Sequence, residues 1–500
     1  MTALAREESV GQAKLAAGAV GLVGQLFQSI ANMAPAAGVI FSAQYMASKG
    51  GATLPLAWLL ATVACLLTAL AMRQVVRKIR SAGSFFVIHS VALGHFVGFT
   101  TSWVWLLNEP LVAGGLSMFF GQILQDFLAT QVGVMLPWWI TALALIAIFT
   151  YLSYVGIRQS AGATVLLGSI EIAIMLVLGL ILIIKAGANQ PLIAFSPAAS
   201  PQGWGGVGFA MVFGILSYLG FESGIPLSEE SKNPRRSLSI TILASTIGMG
   251  AYFCFLGYAT VAGWGYSDPQ KFAADFSGAT NPYFTLAQNA FGVIGPWVIL
   301  FAVANTAFGG AITAYNAITR VYYSLGRSGV FPRWFGHVNP STQTPDHAIL
   351  FEGALAAVCA LGLGFAFGTS SAWGLLGIVW TIAVTIVYMM SCLSCIALYW
   401  GKYREEFNVV SHLLVPLLGI VVFIPALISG LAPQILFGYT NDYPFSLALP
   451  IVVVWALVGL ALYGFLRVSG RERLDAMANE MAHVELAGEE YDPRARATLS

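Results

Sequence analysis

An all-α polytopic membrane protein of twelve transmembrane helices is the fold class this sequence predicts, and three observations carry the prediction. Hydrophobic residues make up 58% of the 500 and charged residues only 9%, with a mean hydropathy of +0.78. A soluble domain of this length could not keep that balance monomeric in water. The Lys and Arg residues fall almost entirely to one side of the apolar segments. Two of those segments, the first and the sixth, are interrupted by glycine near their middles.

The elements follow from the lengths of the apolar runs, since a straight crossing needs about 20 residues. The first 14 residues are polar and the apolar run after them is far longer than the core of a cleavable leader, so the first span is expected to stay in the mature chain. That span, from about 15 to 47, is too long for one straight crossing. It is interrupted at Asn32-Met33-Ala34-Pro35-Ala36-Ala37-Gly38, where proline removes a backbone donor and glycine loosens the helix. Further spans read at about 54 to 72, 95 to 128, 137 to 156, 162 to 185, 207 to 228, 238 to 263, 291 to 325, 347 to 367, 373 to 400, 411 to 431 and 444 to 467. With the N-terminus in the cytoplasm, all Lys and Arg except Lys49, Lys185 and Lys271 fall inside, as the positive-inside rule requires. Both termini are then cytoplasmic and the protein belongs in the cell membrane. The division expected is a cytoplasmic N-terminus at 1–14, a helical domain at 15–467 and a cytoplasmic tail at 468–500. The tail is charged and mixed in sign, and reads as a short helix fading into disorder.

The two interrupted segments are five spans apart in order, with four spans between them, so the second crosses in the opposite sense. That is the arrangement of an inverted repeat with discontinuous helices at its binding site, here a first repeat at about 15–185 and a second at about 207–400, with two extra helices at about 411–467. Half-helix ends leave free N–H groups at one break and free C=O groups at the other, suited to a substrate carboxylate and ammonium. The candidate substrate-binding residues are Ala34, Ala36, Ala37 and Gly38 at the first break and Tyr218, Gly220, Phe221 and Glu222 at the second, with Gly38 and Gly220 lining the cavity. Asn108 and Glu109, placed at depth beside Pro110, read either as contacts to a substrate amine or as groups satisfied by their own kink. No Lys or Arg lies deep in any span. Glu109, Glu171 and Glu222 must therefore be protonated, hydrated, or neutralised by a cation that comes and goes, which makes them candidate proton carriers. Glu352, one turn into the ninth span, reads as snorkelling to the interface.

Other chemistries find no motif. The five cysteines all lie in apolar segments, and Cys392-x-x-Cys395 reads as packing. His89, His95, His337, His347 and His412 are scattered near interfaces and form no metal set. There is no phosphate-binding loop, dinucleotide fingerprint or nucleophile elbow, so no cofactor and no nucleic-acid partner is expected. An intramembrane enzyme would need an acid, base and nucleophile at one depth, and a channel would need polar rings.

The runs SYLGFES and EESKNPRRS, Ser217 to Ser223 and Glu229 to Ser237, resemble the sixth-helix signature of the amino acid, polyamine and organocation permeases. RSGVFPRWFGHVNPSTQTP, Arg327 to Pro345, is similar to their loop after helix eight, and SAGSFFVIHSVALG, Ser81 to Gly94, to the glycine-rich start of their helix three. The resemblance covers most of residues 15 to 467. It departs at Ala34-Pro35-Ala36-Ala37-Gly38, where many members carry a Gly-Ser-Gly type of break. It implies a secondary transporter of the five-plus-five type that imports an amino acid or small amine, with Phe221 as a gate and a bundle of helices one, two, six and seven rocking against the rest. Exchange or sodium-coupled symport in the same fold is the alternative. Some proton-coupled members use a lysine near the level of Glu171, which implies a protonation role there, the other reading being a pair with a neighbour. Sodium would need a compact set of oxygen ligands, and no spacing singles one out, so protons are the expected coupling ion.

Overall fold

Pro35 sits in the first turn of a helix, where its missing N–H is no loss, and the first span falls into three pieces around it. These are α1 (Leu22–Asn32), α2 (Pro35–Ile40) and α3 (Ala43–Gly50). The structure, a computed structural model, describes residues 22–80, 84–156, 161–222, 234–327, 329–469, 485–486 and 489–490. Ala34 caps α2 in the left-handed region at φ 48, and a second bend, of 51°, separates α3 from the helix before it. The sequence places one break over Asn32 to Gly38; the structure has two, at Met33–Ala34 and at Phe41–Ser42, with Gly38 helical between them.

The chain continues through α4 (Leu54–Val76), α5 (Ser84–Leu93), α6 (His95–Trp105), α7 (Glu109–Gln131), α8 (Trp138–Val155) and α9 (Ala161–Ala186). The third span is thus two helices joined by a turn at Leu106 to Asn108. Then come α10 (Trp204–Leu216), α11 (Pro234–Trp264), the short α12 (Pro269–Gly278) and α13 (Pro282–Phe291), and the long α14 (Gly295–Arg327). The last helices are α15 (Asp346–Phe367), α16 (Thr369–Trp400), α17 (Val415–Leu431) and α18 (Ala448–Ser469).

Among the described residues, ten helical runs are long and apolar enough to cross a membrane, and the bent α1 to α3 makes an eleventh. The protein is all-α and polytopic. Helix α10 has 13 residues and unwinds at Ser217 to Glu222, the second predicted break. Ser223, Gly224 and most of the EESKNPRRS run lie outside the described residues, as do residues 1–14. Of the tail, two short pieces are described, and both are extended: Glu485–Leu486 pairs with Ile79–Arg80 and with Glu489–Glu490. At those positions the expected helix gives way to a ladder against the turn after α4.

With lipid outside, apolar burial between helices offers little drive, and small residues that let backbones approach take its place. A Cβ on Gly114 of α7 would lie 2.6 Å from the Ala356 carbonyl of α15, so these helices meet where only glycine fits. Helix α4 packs on α11, α10 and α17, while α1 and α2 pack on α9, α11 and α14. At the periphery, α18 docks on α6 through a reciprocal pair: the Trp103 indole donates to the Trp455 carbonyl at 2.8 Å and the Trp455 indole to the Trp103 carbonyl at 2.7 Å.

Gly114→Ala is expected to lower the detergent melting temperature by several degrees, because the added methyl meets backbone that cannot rotate away, a strain of about 1–3 kcal/mol. Gly248→Ala on α11, with nothing within 4 Å of its Cβ position, is the control and should melt as wild type does. A fluorescence melting curve in detergent, measured on both variants, makes the comparison.

Candidate functional site

The two interrupted segments meet. Ser217, the first residue after α10, places its Oγ 2.8 Å from the Gly38 carbonyl and 3.0 Å from the Phe213 carbonyl, and accepts the Trp58 indole N–H at 3.2 Å. One hydroxyl so ties the end of α10 to the first segment. Gly220, at φ 106, abuts Asn32: a Cβ there would lie 2.5 Å from the Asn32 amide nitrogen. A Cβ on Gly38 would lie 3.0 Å from the Phe253 ring of α11 and 3.3 Å from Ser217 Cβ. At both glycines, then, an added side chain would meet packed neighbours. The glycines set how closely the segments pack.

Glu171, 2% exposed on α9, accepts the Ala36 backbone N–H at 2.7 Å on one oxygen and the Asn305 side-chain amide of α14 at 2.6 Å on the other. One of its two partners is thus the first break itself. The Ala36 N–H, which was expected to hold a substrate carboxylate, holds the protein's own carboxyl group here. Ala34 and Ala37 flank it, Ala37 buried and Ala34 partly so. Asn305 escaped the sequence reading; a lone amide inside an otherwise apolar run was the available signal.

Glu222, 4% exposed, accepts the Tyr388 hydroxyl of α16 at 2.9 Å. Phe221 beside it is fully buried, its ring 5.1 Å from that of Tyr388. The Tyr218 hydroxyl bonds Thr62 Oγ1 on α4. Glu109 is half-buried at the start of α7 and lies within electrostatic reach of both Glu222 and Glu352. The preceding Asn108 is fully buried, and neither polar atom of its amide has a partner among the described residues. The snorkelling reading of Glu352 is overturned: it is 0% exposed and takes a hydrogen bond from the Tyr322 hydroxyl at 3.2 Å, because α14 and the loop after it close over that end of α15.

The loop after α14 and the start of α15 bring two of the histidines together with Asp346. Asp346 Oδ1 lies 2.7 Å from His337 Nδ1, and the ligand atoms of His337, Asp346 and His347 all fall within 4.8 Å of one another. The two imidazoles stack at 4.4 Å with planes 21° apart, so their in-plane lone pairs run side by side instead of converging as metal ligands do. His89 is buried between Thr101 Oγ1 at 2.9 Å and Ser391 Oγ at 3.0 Å.

The family profile described as amino acid permease matches residues 20–459 of this chain. The low-affinity putrescine importer of Escherichia coli K12 is 25% identical over 366 residues, 72% of this chain and 76% of that protein. The branched-chain amino acid permease of Bacillus subtilis 168 is 25% identical over 331 residues, 62% of this chain and 68% of the relative. The vacuolar cationic amino acid transporter 4 of Arabidopsis thaliana is 28% identical over 341 residues, 62% of this chain and 52% of its own length. A match that spans both breaks and nearly every described helix leaves one conclusion: the chain belongs to the amino acid permease family, within the amino acid, polyamine and organocation superfamily of membrane transporters, and not to a class of enzymes.

Proposed function

We propose that this protein is a secondary active transporter importing an amino acid or small amine across the cytoplasmic membrane, driven by protons. The observation that carries the reading is the bond between Glu171 and the Ala36 N–H at the first break. A backbone donor freed by a broken helix suits a substrate carboxylate, and in this conformation an internal carboxyl group occupies it. A proton on Glu171 weakens its hold on Ala36 and Asn305. The donor is then released to a substrate while α9 and α14 loosen from α2, and this couples proton uptake to substrate binding through one shared atom.

At the second break, Glu222 and the half-buried Glu109 present carboxyl oxygens that fit a substrate amine. Together the breaks hold a zwitterion head, with Asn108 as a further polar contact and Phe221, packed under Tyr388, as the element that must move for passage. The topology is twelve spans with both termini in the cytoplasm, a first repeat over about 15–185, a second over about 207–400 and two further helices to 467. Basic residues support this orientation. Relatives named for putrescine, branched-chain and cationic amino acids support the substrate class.

In sodium-free proteoliposomes, an inward pH gradient is expected to stimulate uptake from a panel of putrescine, arginine and leucine. Glu171→Gln should abolish the stimulation while leaving counterflow. Uptake that ignores the gradient and requires sodium rejects the reading, and a gradient response unchanged in Glu171→Gln rejects Glu171 as the carrier.

Turnover should also rank Glu222→Gln above Glu222→Ala, because the amide keeps the acceptor that Tyr388 needs. Tyr388→Phe, which removes one hydrogen bond of about 1 kcal/mol, is expected to slow uptake about fivefold. Initial rates at saturating substrate measure both; an Ala variant as fast as wild type would leave Glu222 no part in transport.

A further inference from the structure

The end of the molecule that carries Lys49 and Lys271, outermost on the orientation set by the basic residues, holds a cavity of about 530 Å³. Its walls come from α3, α7, the α12–α13 hairpin and the first turn of α16, and neither break contributes to it. Asp126 of α7 is the one carboxylate among the described residues of the lining. Its oxygens accept the Gln122 amide at 2.8 Å and the Asn281 amide at 3.2 Å, both neutral donors. Among the described residues no Lys or Arg forms an ion pair with it. The hairpin wall is held in place from the opposite side, where the Gln44 amide donates to the Ala279 carbonyl at 2.7 Å. Tyr45, Phe119 and Phe445 supply aromatic surface to the same lining.

We propose that this vestibule is a recognition subsite for an organic cation, a primary ammonium on an alkyl stem, with Asp126 as its counter-charge. A carboxylate bonded to two neutral amides keeps its net charge and lone pairs for a third donor, and the amides hold it in a fixed direction. Aromatic faces attract a cation and cover the methylenes behind it. The volume lies within the range of small-molecule sites. Lined by both a carboxylate and aromatic rings, the cavity matches a molecule charged at its end and apolar along its length. It meets such a solute before the central site does, and it favours amine-bearing substrates over neutral side chains at the first encounter. The inference rests on the transport reading above and adds a substrate class to it.

The test pairs direct binding with flux. Calorimetric titration of the purified protein in low salt with putrescine, and separately with leucine, is run on wild type, Asp126→Asn and Asp126→Glu. The Asn variant is expected to bind putrescine about tenfold more weakly, the Glu variant to stay near wild type, and leucine to be unaffected. Added salt should weaken putrescine binding to wild type and have little effect on the Asn variant. Equal putrescine affinity in wild type and Asp126→Asn overturns the proposal, as does the absence of putrescine binding to wild type. An equal loss for putrescine and leucine also overturns it, by reducing Asp126 to a tether of the hairpin. The two readings fail separately: Asp126-dependent putrescine binding without any uptake in proteoliposomes removes the transport reading and keeps the subsite, whereas leucine uptake without Asp126-dependent cation binding does the reverse.

Discussion

A single hydrogen bond, from the Ala36 backbone N–H to the Glu171 carboxyl group, is the contact on which the inner architecture depends. Ala34 in the left-handed region and Pro35 after it end α1 and restart the chain as α2, so the new first turn has donors with no carbonyl behind them. In an apolar surrounding each such group costs several kcal/mol unless it finds a partner, and water is not at hand. Glu171 meets that need from α9, and its second oxygen draws in Asn305 from α14. Three separate stretches of chain converge on one break because one donor has to be satisfied. On the far side of α2 the Gly38 carbonyl is met by Ser217, which joins the two breaks to each other.

A second feature is a polar seam through helices that otherwise read as apolar. Tyr388 reaches Glu222, and one turn along the same face of α16 Ser391 reaches His89, which in turn reaches Thr101. Opposite it, Asn108 has no partner for either polar atom and Glu352 none for one oxygen, among the described residues. A stable core would not retain polar atoms left in that condition, because a partly satisfied network is worse than an apolar one. A transporter has a use for them: groups that bond differently as a solute or proton arrives are what two alternating conformations require.

The composition and spacing alone were enough for the membrane class, the sequence limits of most helices and the neighbourhood of the interruptions, while the family rested on the resemblance of a few short runs such as SYLGFES. Each is a property of a short run of residues: about twenty apolar positions make a span, a proline or glycine inside it weakens the ladder, and basic residues accumulate on one side. The acids at depth were legible for the same reason, since a Glu in an apolar run is conspicuous wherever it points.

Partnership was not legible. Ala36 and Glu171 are 135 positions apart and Tyr388 and Glu222 166 apart, and nothing in either local run marks the other. The same limit explains why Glu352 looked interfacial and is sealed beneath Tyr322, and why His337 and His347, ten positions apart, gave no sign of stacking on each other. Hydropathy records how much a residue avoids water, a scalar carried by the residue itself. Which of its neighbours replaces that water is decided by helix crossing and rotation, and these arise only when the whole bundle closes.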